Sequence, residues 1–297
     1  MTFAQKKYGW QLWRQLLGGA FLSLMATTGV AWADAAEDAY QEGARLAKTG
    51  VLKQALDEFD KAIRLKPTYA EAYSARGTIR NALVQNERAI QDFDEAIRLN
   101  PRYAMAYYNR ANVYMDIGQF DKALKDYSEM IALEPTNAEA LYNRSLVQLL
   151  LARGEAAADA RSYLELKGWK DERALYVVLI GYVGYRHGKQ DDEARKLLTE
   201  AKEKANTGVW PYPILRYLHG EIEIAALLDL ALDDDKKTEA QTYAGIDLAL
   251  SGKPQEAVPH LVWVKDHGNK AFIEYILAAT EFNRMPVPTK EPTATTP

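Results

Sequence analysis

Four histidines, His187, His219, His260 and His267, are the side chains best suited to metal binding or general base work at neutral pH. Their spacing supports neither role, since no two stand four residues apart as helical zinc ligands do, and the chain has no cysteine to complete a site. Gly252-Lys253 is followed by Pro254 where a phosphate loop needs Ser or Thr, and no glycine lies five residues before Gly252. Gly181, Gly184 and Gly188 lack dinucleotide-loop spacing, and no G-x-S-x-G elbow is present. The one place where an enzyme site would be sought is a convergence of Trp210, His219 and Glu221 in an irregular segment, acting on peptide or peptidoglycan. No catalytic residue, metal or cofactor is expected, and a binding protein is the main reading.

Arginine offers a different chemistry. Arg76, Arg110 and Arg144 recur every 34 residues, either as a ladder that grips acidic ligands or as structural partners of carboxylates. Asp92 and Asp126 follow the first two by sixteen residues, and pairing is preferred because an unpaired charge at a helix interface is costly. Sixteen residues beyond Arg144 lies Ala160, so Arg144 either takes a ligand or uses Asp159. A second candidate stripe is Tyr108, Asn112 and Met115, with Ser74, Thr78 and Asn81 one period before and Tyr142, Leu146 and Leu149 one period after. Aromatic and amide groups at that spacing suit an extended peptide or a partner's helix. For Tyr142, Leu146 and Leu149, packing against the next repeat or a dimer partner is an equal alternative.

These residues share a face only if a regular set of helices positions them. Pro67, Pro101 and Pro135 stand 34 apart, as do Ala55, Ala89, Ala123 and Ala157. The same offset relates Gly43, Gly77, Ala111 and Ser145, the aromatic column Phe59, Phe93 and Tyr127, and the column Leu65, Leu99 and Leu133. At about 100° per residue, Tyr107, Ala111 and Tyr114 form the core stripe of a first helix, and the Tyr108 stripe lies roughly 100° away. Gly118 supplies a positive φ at the turn, Asp121 is the candidate cap of the second helix, and Pro135 stops it. These columns resemble the tetratricopeptide repeat (TPR), which implies an all-α superhelical solenoid of antiparallel helix pairs with a concave face. In chaperone-binding members of that family a basic and amide clamp holds a terminal carboxylate. Asn109 fits one slot, but Ser74, Thr78 and Glu139 occupy others, so that ligand is not implied.

The register weakens downstream. The repeat at 138–167 has Arg161 where an aromatic belongs, and Ala194 follows Gly181 by thirteen residues rather than twelve. Trp210-Pro211-Tyr212-Pro213 predicts an irregular elbow, Asp233 to Asp235 a solvated loop, and Pro259 a delayed or kinked helix. The offsets return at Gly245, Ala257 and Leu261, and Phe272 to Phe282 predict a closing, capping helix. Trp210-Pro211, Leu218-His219-Gly220-Glu221-Ile222, Tyr243-Ala244-Gly245, Asn269, Phe272-Ile273-Glu274-Tyr275 and Ala278 resemble the NlpI family of cell-envelope TPR lipoproteins. That resemblance implies a noncatalytic periplasmic scaffold, often a homodimer, that docks proteases and cell-wall hydrolases. Within the binding class the alternative is a self-assembling structural dimer whose partners use the convex or terminal surfaces. The lipidated cysteine of that family is missing here, so its membrane tether does not carry over.

Composition agrees with an exported binding protein. The 297 residues are 48% hydrophobic and 26% charged with a net charge of −4, which gives no positive field for nucleic acid. Without cysteine there is no disulfide framework or thiolate chemistry. Lys6, Lys7 and Arg14 precede an apolar run from Leu16 to Met25 and the small-x-small pattern Ala31-Trp32-Ala33, the signature of a signal peptide cut after Ala33. An uncleaved anchor is the alternative, because 15–33 carries no charge. The expected organisation is a signal peptide at 1–33, a TPR array at 34–167, a degenerate helical region at 168–284 and a Pro/Thr-rich disordered tail at 285–297. The location would be periplasmic or secreted, with no stable membrane insertion after cleavage.

Overall fold

The computed structural model describes residues 34–285, and the expected signal peptide and all but the first residue of the expected tail lie outside them. The described residues form fifteen α-helices and no strand. None of these helices is long and apolar enough to cross a membrane. They fall into two compact units, one ending at Ile117 and one starting at Gly118.

Unit 1 holds α1 (34–48), α2 (Leu52–Leu65), α3 (Ala70–Ala82), α4 (Asn86–Leu99) and α5 (Ala104–Asp116). Successive helices pack as hairpins, and α3 also touches α5. The 34-residue columns explain this packing: Ala55, Phe59, Ala62, Ala89, Phe93 and Ala96 are all buried on the second helices. Opposite them, Gly43 and Gly77 let the rings in, since a Cβ on either would stand under 3 Å from the ring of Phe59 or Phe93. Burying each ring supplies about 2–3 kcal/mol. The turn after each first helix needs a left-handed residue. Gly50 provides it at φ 77°, whereas Val84 is held there at φ 58°.

Unit 2 begins with α6 (Phe120–Leu133), α7 (Ala138–Leu150), α8 (Ala156–Lys167), α9 (Ala174–His187) and α10 (Asp191–Lys204). Gly118 takes the expected positive φ of 73°. Asp121, however, is not the cap: Gln119 is, and Asp121 sits in the first turn, where its charge favours the helix dipole. The irregularity at Arg161 is resolved by Tyr163, buried two residues later, while Arg161 turns outward to Glu200 at 3.0 Å. After the Trp210–Pro211 elbow come two short helices, α11 (Tyr212–Leu218) and α12 (Ile224–Leu230). Three longer ones follow, α13 (Asp234–Leu250), α14 (Pro254–His267) and α15 (Ile273–Arg284).

Two expectations about this region need correction. Asp233 to Asp235 are not a loop, because Asp233 caps α13 by accepting from the Lys236 amide and the other two open its first turn. Pro259 does not delay α14, which starts at Pro254 and runs on to His267. It lies on the exposed side, so water can satisfy the carbonyl that loses its partner. A single apolar core runs from Leu146 to Ala278, and the expected domain boundary at 167/168 falls inside it. That core exists because the chain returns: α13 packs on α9, and α15 packs on α13, α14 and α7. Arg284 donates to the Leu150 carbonyl, locking the last helix to α7.

Candidate functional site

In unit 1 the Tyr108 stripe and its counterpart on α3 share one face. Asn109 Nδ2 donates to Thr78 Oγ1 at 3.3 Å, tying α5 to α3, and Thr78 Oγ1 donates to the Ser74 carbonyl at 3.0 Å. Thr78 is exposed, and Asn81, Tyr108, Asn112 and Met115 are half-buried, so amide, hydroxyl and aromatic groups line the face. Burial pushes the Asp116 carboxyl up, and a hydrogen bond from Asn81 opposes it. Ser74 departs from the expectation of a surface role: it is 2% exposed and hydrogen-bonds Tyr103, so it belongs to the wall.

The N-terminal ends of α1, α3 and α5 carry a group that the sequence reading missed. Tyr69 and Tyr103, 34 residues apart, cap α3 and α5, while Glu37 and Glu71, also 34 apart, lie in the first turns of α1 and α3. The Tyr40 ring lies 5.1 Å from that of Tyr69, whose hydroxyl donates to Glu37. Burial raises the Tyr40, Tyr69 and Tyr103 phenols, and the Glu71 charge raises each further. The recurring 34-residue spacing was the available signal.

Unit 2 treats the corresponding stripe differently. Tyr142 is half-buried against the core, and Leu146 and Leu149 are 6% and 1% exposed within it. Burial raises the Tyr142 phenol and the charge of Glu274 on α15 adds to it, which places α15 beside that face of α7. The structure therefore fills this part of the stripe with the chain's own helices.

The arginine ladder is structural wherever its partners are described. Asp92 accepts Arg76 Nη2 at 2.6 Å and Arg80 Nη1 at 2.8 Å. Arg144, the open case, is held by both oxygens of Asp159 at 2.6 and 2.7 Å, with Ser128 Oγ at 3.3 Å. Asp159 serves in place of residue 160, and the bidentate pair accounts for the guanidinium. Asp60, at 2.5 Å from Arg76, and Asp94, at 2.5 Å from Arg110, form a further acceptor column sixteen residues before each arginine, with Ser128 as its third member. The sixteen-residue spacing on the N-terminal side of each arginine is the signal for it in the sequence.

Trp210, His219 and Glu221 do not form one site. Trp210 Nε1 donates to Glu239 Oε2 at 2.7 Å, whereas His219 Nδ1 and Glu221 Oε1 do stand 3.6 Å apart, with Glu221 held by Lys202 at 2.7 Å and His219 3.3 Å from Thr199 Oγ1. Lys202 lowers the Glu221 carboxyl, which is an ordinary surface pairing. No cluster of His, Asp and Glu among the described residues has the geometry to hold a metal ion.

The helix-pair geometry, the glycine-to-ring contacts and the 34-residue columns meet in known families. The tetratricopeptide repeat model matches residues 104–137 and a second TPR model matches 79–118. Residues 79–137 are tetratricopeptide repeats. Among solved structures, a tetratricopeptide repeat protein from Parabacteroides merdae ATCC 43184 is similar with a TM-score of 0.54 and 19% identity, covering 83% of this chain and 99% of that one. YrrB, described as a TPR protein with an unusual peptide-binding site, is similar with a TM-score of 0.50 and 19% identity, covering 65% and 98%. These likenesses show the fold, all-α with stacked helix pairs. No curated protein matches the sequence.

Proposed function

We propose that the protein is a noncatalytic scaffold of the cell envelope, and that the α3–α5 face of unit 1 receives a peptide or helix of a partner protein. The observation that carries this reading is the shared face of Thr78, Asn81, Tyr108, Asn109, Asn112 and Met115, which combines hydrogen-bonding amides with rigid apolar area. YrrB, similar in fold, is a TPR protein with an unusual peptide-binding site, which supports a peptide as ligand. In unit 2 the matching surface is closed by α13 and α15, which supports a self-filled inner face there and partner binding elsewhere. The mechanism is positioning rather than bond chemistry.

Export and partner class belong to the same proposal. The basic and apolar start with its Ala31-Trp32-Ala33 pattern supports a periplasmic location. The C-terminal likeness to envelope TPR lipoproteins supports a periplasmic protease or cell-wall hydrolase as partner, and a homodimer. Residues carrying that likeness interlock inside unit 2: Trp210 with Glu239, Tyr243 with Glu274 at 3.4 Å, and Asn269 with Asp235 at 2.8 Å.

The test is crosslinked capture from the native periplasm with the protein and with a Tyr108→Ala, Asn112→Ala variant that retains its circular dichroism melt. A protease or cell-wall enzyme captured by the parent and lost by the variant is the expected result. Identical capture by both would remove the α3–α5 face from the proposal.

A further inference from the structure

The tyrosine and glutamate group of unit 1 gives the scaffold face a ligand preference, an inference that rests on the scaffold reading above and names its chemistry. Tyr40 and Tyr103 are half-buried, and Tyr40 is backed by Phe59 at 5.8 Å. Glu37 is exposed and held by Tyr69. Glu71 is half-buried, and its carboxylate makes no ion pair or hydrogen bond among the described residues, although its charge acts on all three phenols.

Arg76, Arg80 and Arg110 are tied to Asp60, Asp92 and Asp94. Lys66 places its Nζ 4.4 Å from the centre of the Tyr69 ring, so an ammonium already rests against one ring of this group. An electron-rich ring face attracts an ammonium or guanidinium within about 6 Å, and a carboxylate at its edge adds a direct charge partner. Here such a carboxylate makes no ion pair among the described residues. A half-buried anion left in that state is stabilised when a cation arrives, because the pair is partly shielded from water.

We propose that the N-terminal end of the α1–α3–α5 face binds the lysine or arginine side chain of an extended basic segment of the partner, with Glu71 as its charge partner and the Tyr40 and Tyr103 rings as its walls. The charge complementarity disfavours an acidic segment at the same place. It also sets the direction of the ligand relative to α3 and α5, since the basic residue is fixed at their N-terminal ends and the rest of the segment runs towards Asn81 and Met115.

The probes are three fluorescein-labelled decapeptides of Gly, Ser and Ala that differ only in two central residues, both lysine, both glutamine or both glutamate. Anisotropy titration of the purified protein should show the lysine peptide binding at least about fivefold more tightly than the glutamine one, with the preference shrinking at high salt. Glu71→Gln should abolish that preference while leaving the melting curve unchanged. Glu95→Gln, on the exposed side of α4 beside Arg98, should leave the preference intact. Equal binding of the lysine and glutamine peptides, a preference for glutamate, a preference that survives Glu71→Gln, or no binding of any peptide would each overturn the proposal. If the Tyr108→Ala, Asn112→Ala variant loses its partners while no lysine preference is found, the scaffold stands and only this inference falls.

Discussion

Glu239 shows how a single residue in unit 2 carries a pH-dependent load. It is 7% exposed, and its partners are neutral donors: Trp210 at 2.7 Å and Tyr176 on α9 at 3.3 Å. Burial, followed by the charge of Glu274 on α15, pushes its carboxyl up to about 7, and Asp235 adds to the rise. An acid whose value is higher folded than unfolded contributes stability that is fully present below the unfolded value and is lost as pH rises through the folded one. Glu239→Gln cannot ionise, so its stability relative to the parent should climb between about pH 4.5 and pH 8 by on the order of 2–3 kcal/mol. His187, pushed down to about 4 by burial with Arg284 and Arg186 adding, produces the opposite slope, but equally in both proteins. Thermal melts of the pair at several pH values read the difference directly, and a flat difference would refute the assignment. The amide's own mismatch with one of the two donors shifts the whole curve without changing its slope.

A recurring contact, glycine against the side chain sixteen residues on, organises the elements. It joins Gly43 to Phe59, Gly77 to Phe93, Gly181 to Leu197 and Gly245 to Leu261. The expected slip between Gly181 and Ala194 leaves this spacing untouched, which is why α9 and α10 still pair. At Gly77 an added Cβ would stand 2.9 Å from Phe93 Cε1 and 3.1 Å from Asp92 Cβ. Asp92 cannot yield easily, being held by Arg76 and Arg80. Alanine gains about 1 kcal/mol in helix propensity, but overpacking here costs about 1–3 kcal/mol. Gly77→Ala should therefore destabilise unit 1 by about 1 kcal/mol, seen as a lower urea midpoint with an unchanged slope. An unchanged or raised midpoint would show that the hairpin has room. Turn residues were only partly legible at this scale. Gly118 announced a left-handed turn, whereas Val84, Ala152 and Lys189 adopt the same conformation without any residue-type signal. Packing on both sides imposes their φ against local preference.

Across the whole molecule, the proposal of export makes a simple demand. Protein recovered from a periplasmic extract should have the intact mass of a chain beginning at Asp34, by mass spectrometry, and a chain retaining residues 1–33 in the membrane fraction would favour the anchor instead. The 34-residue columns by themselves determined the helix pairs, their hairpin packing and the Arg76 to Asp92 pairing. They could do so because each column reports a contact between neighbouring helices, and such contacts repeat with the chain. Tertiary structure alone decided that Leu146 and Leu149 are interior and that Ser74 is a wall residue. It also decided that Arg144 closes on Asp159, and that Trp210 serves Glu239 rather than His219. The return of α15 to α7 joins Arg284 to Leu150 across 134 residues. No local period encodes a contact of that span; it forms because the apolar inner faces of α7 and α9 must be covered, and the chain's own last helices are what reaches them.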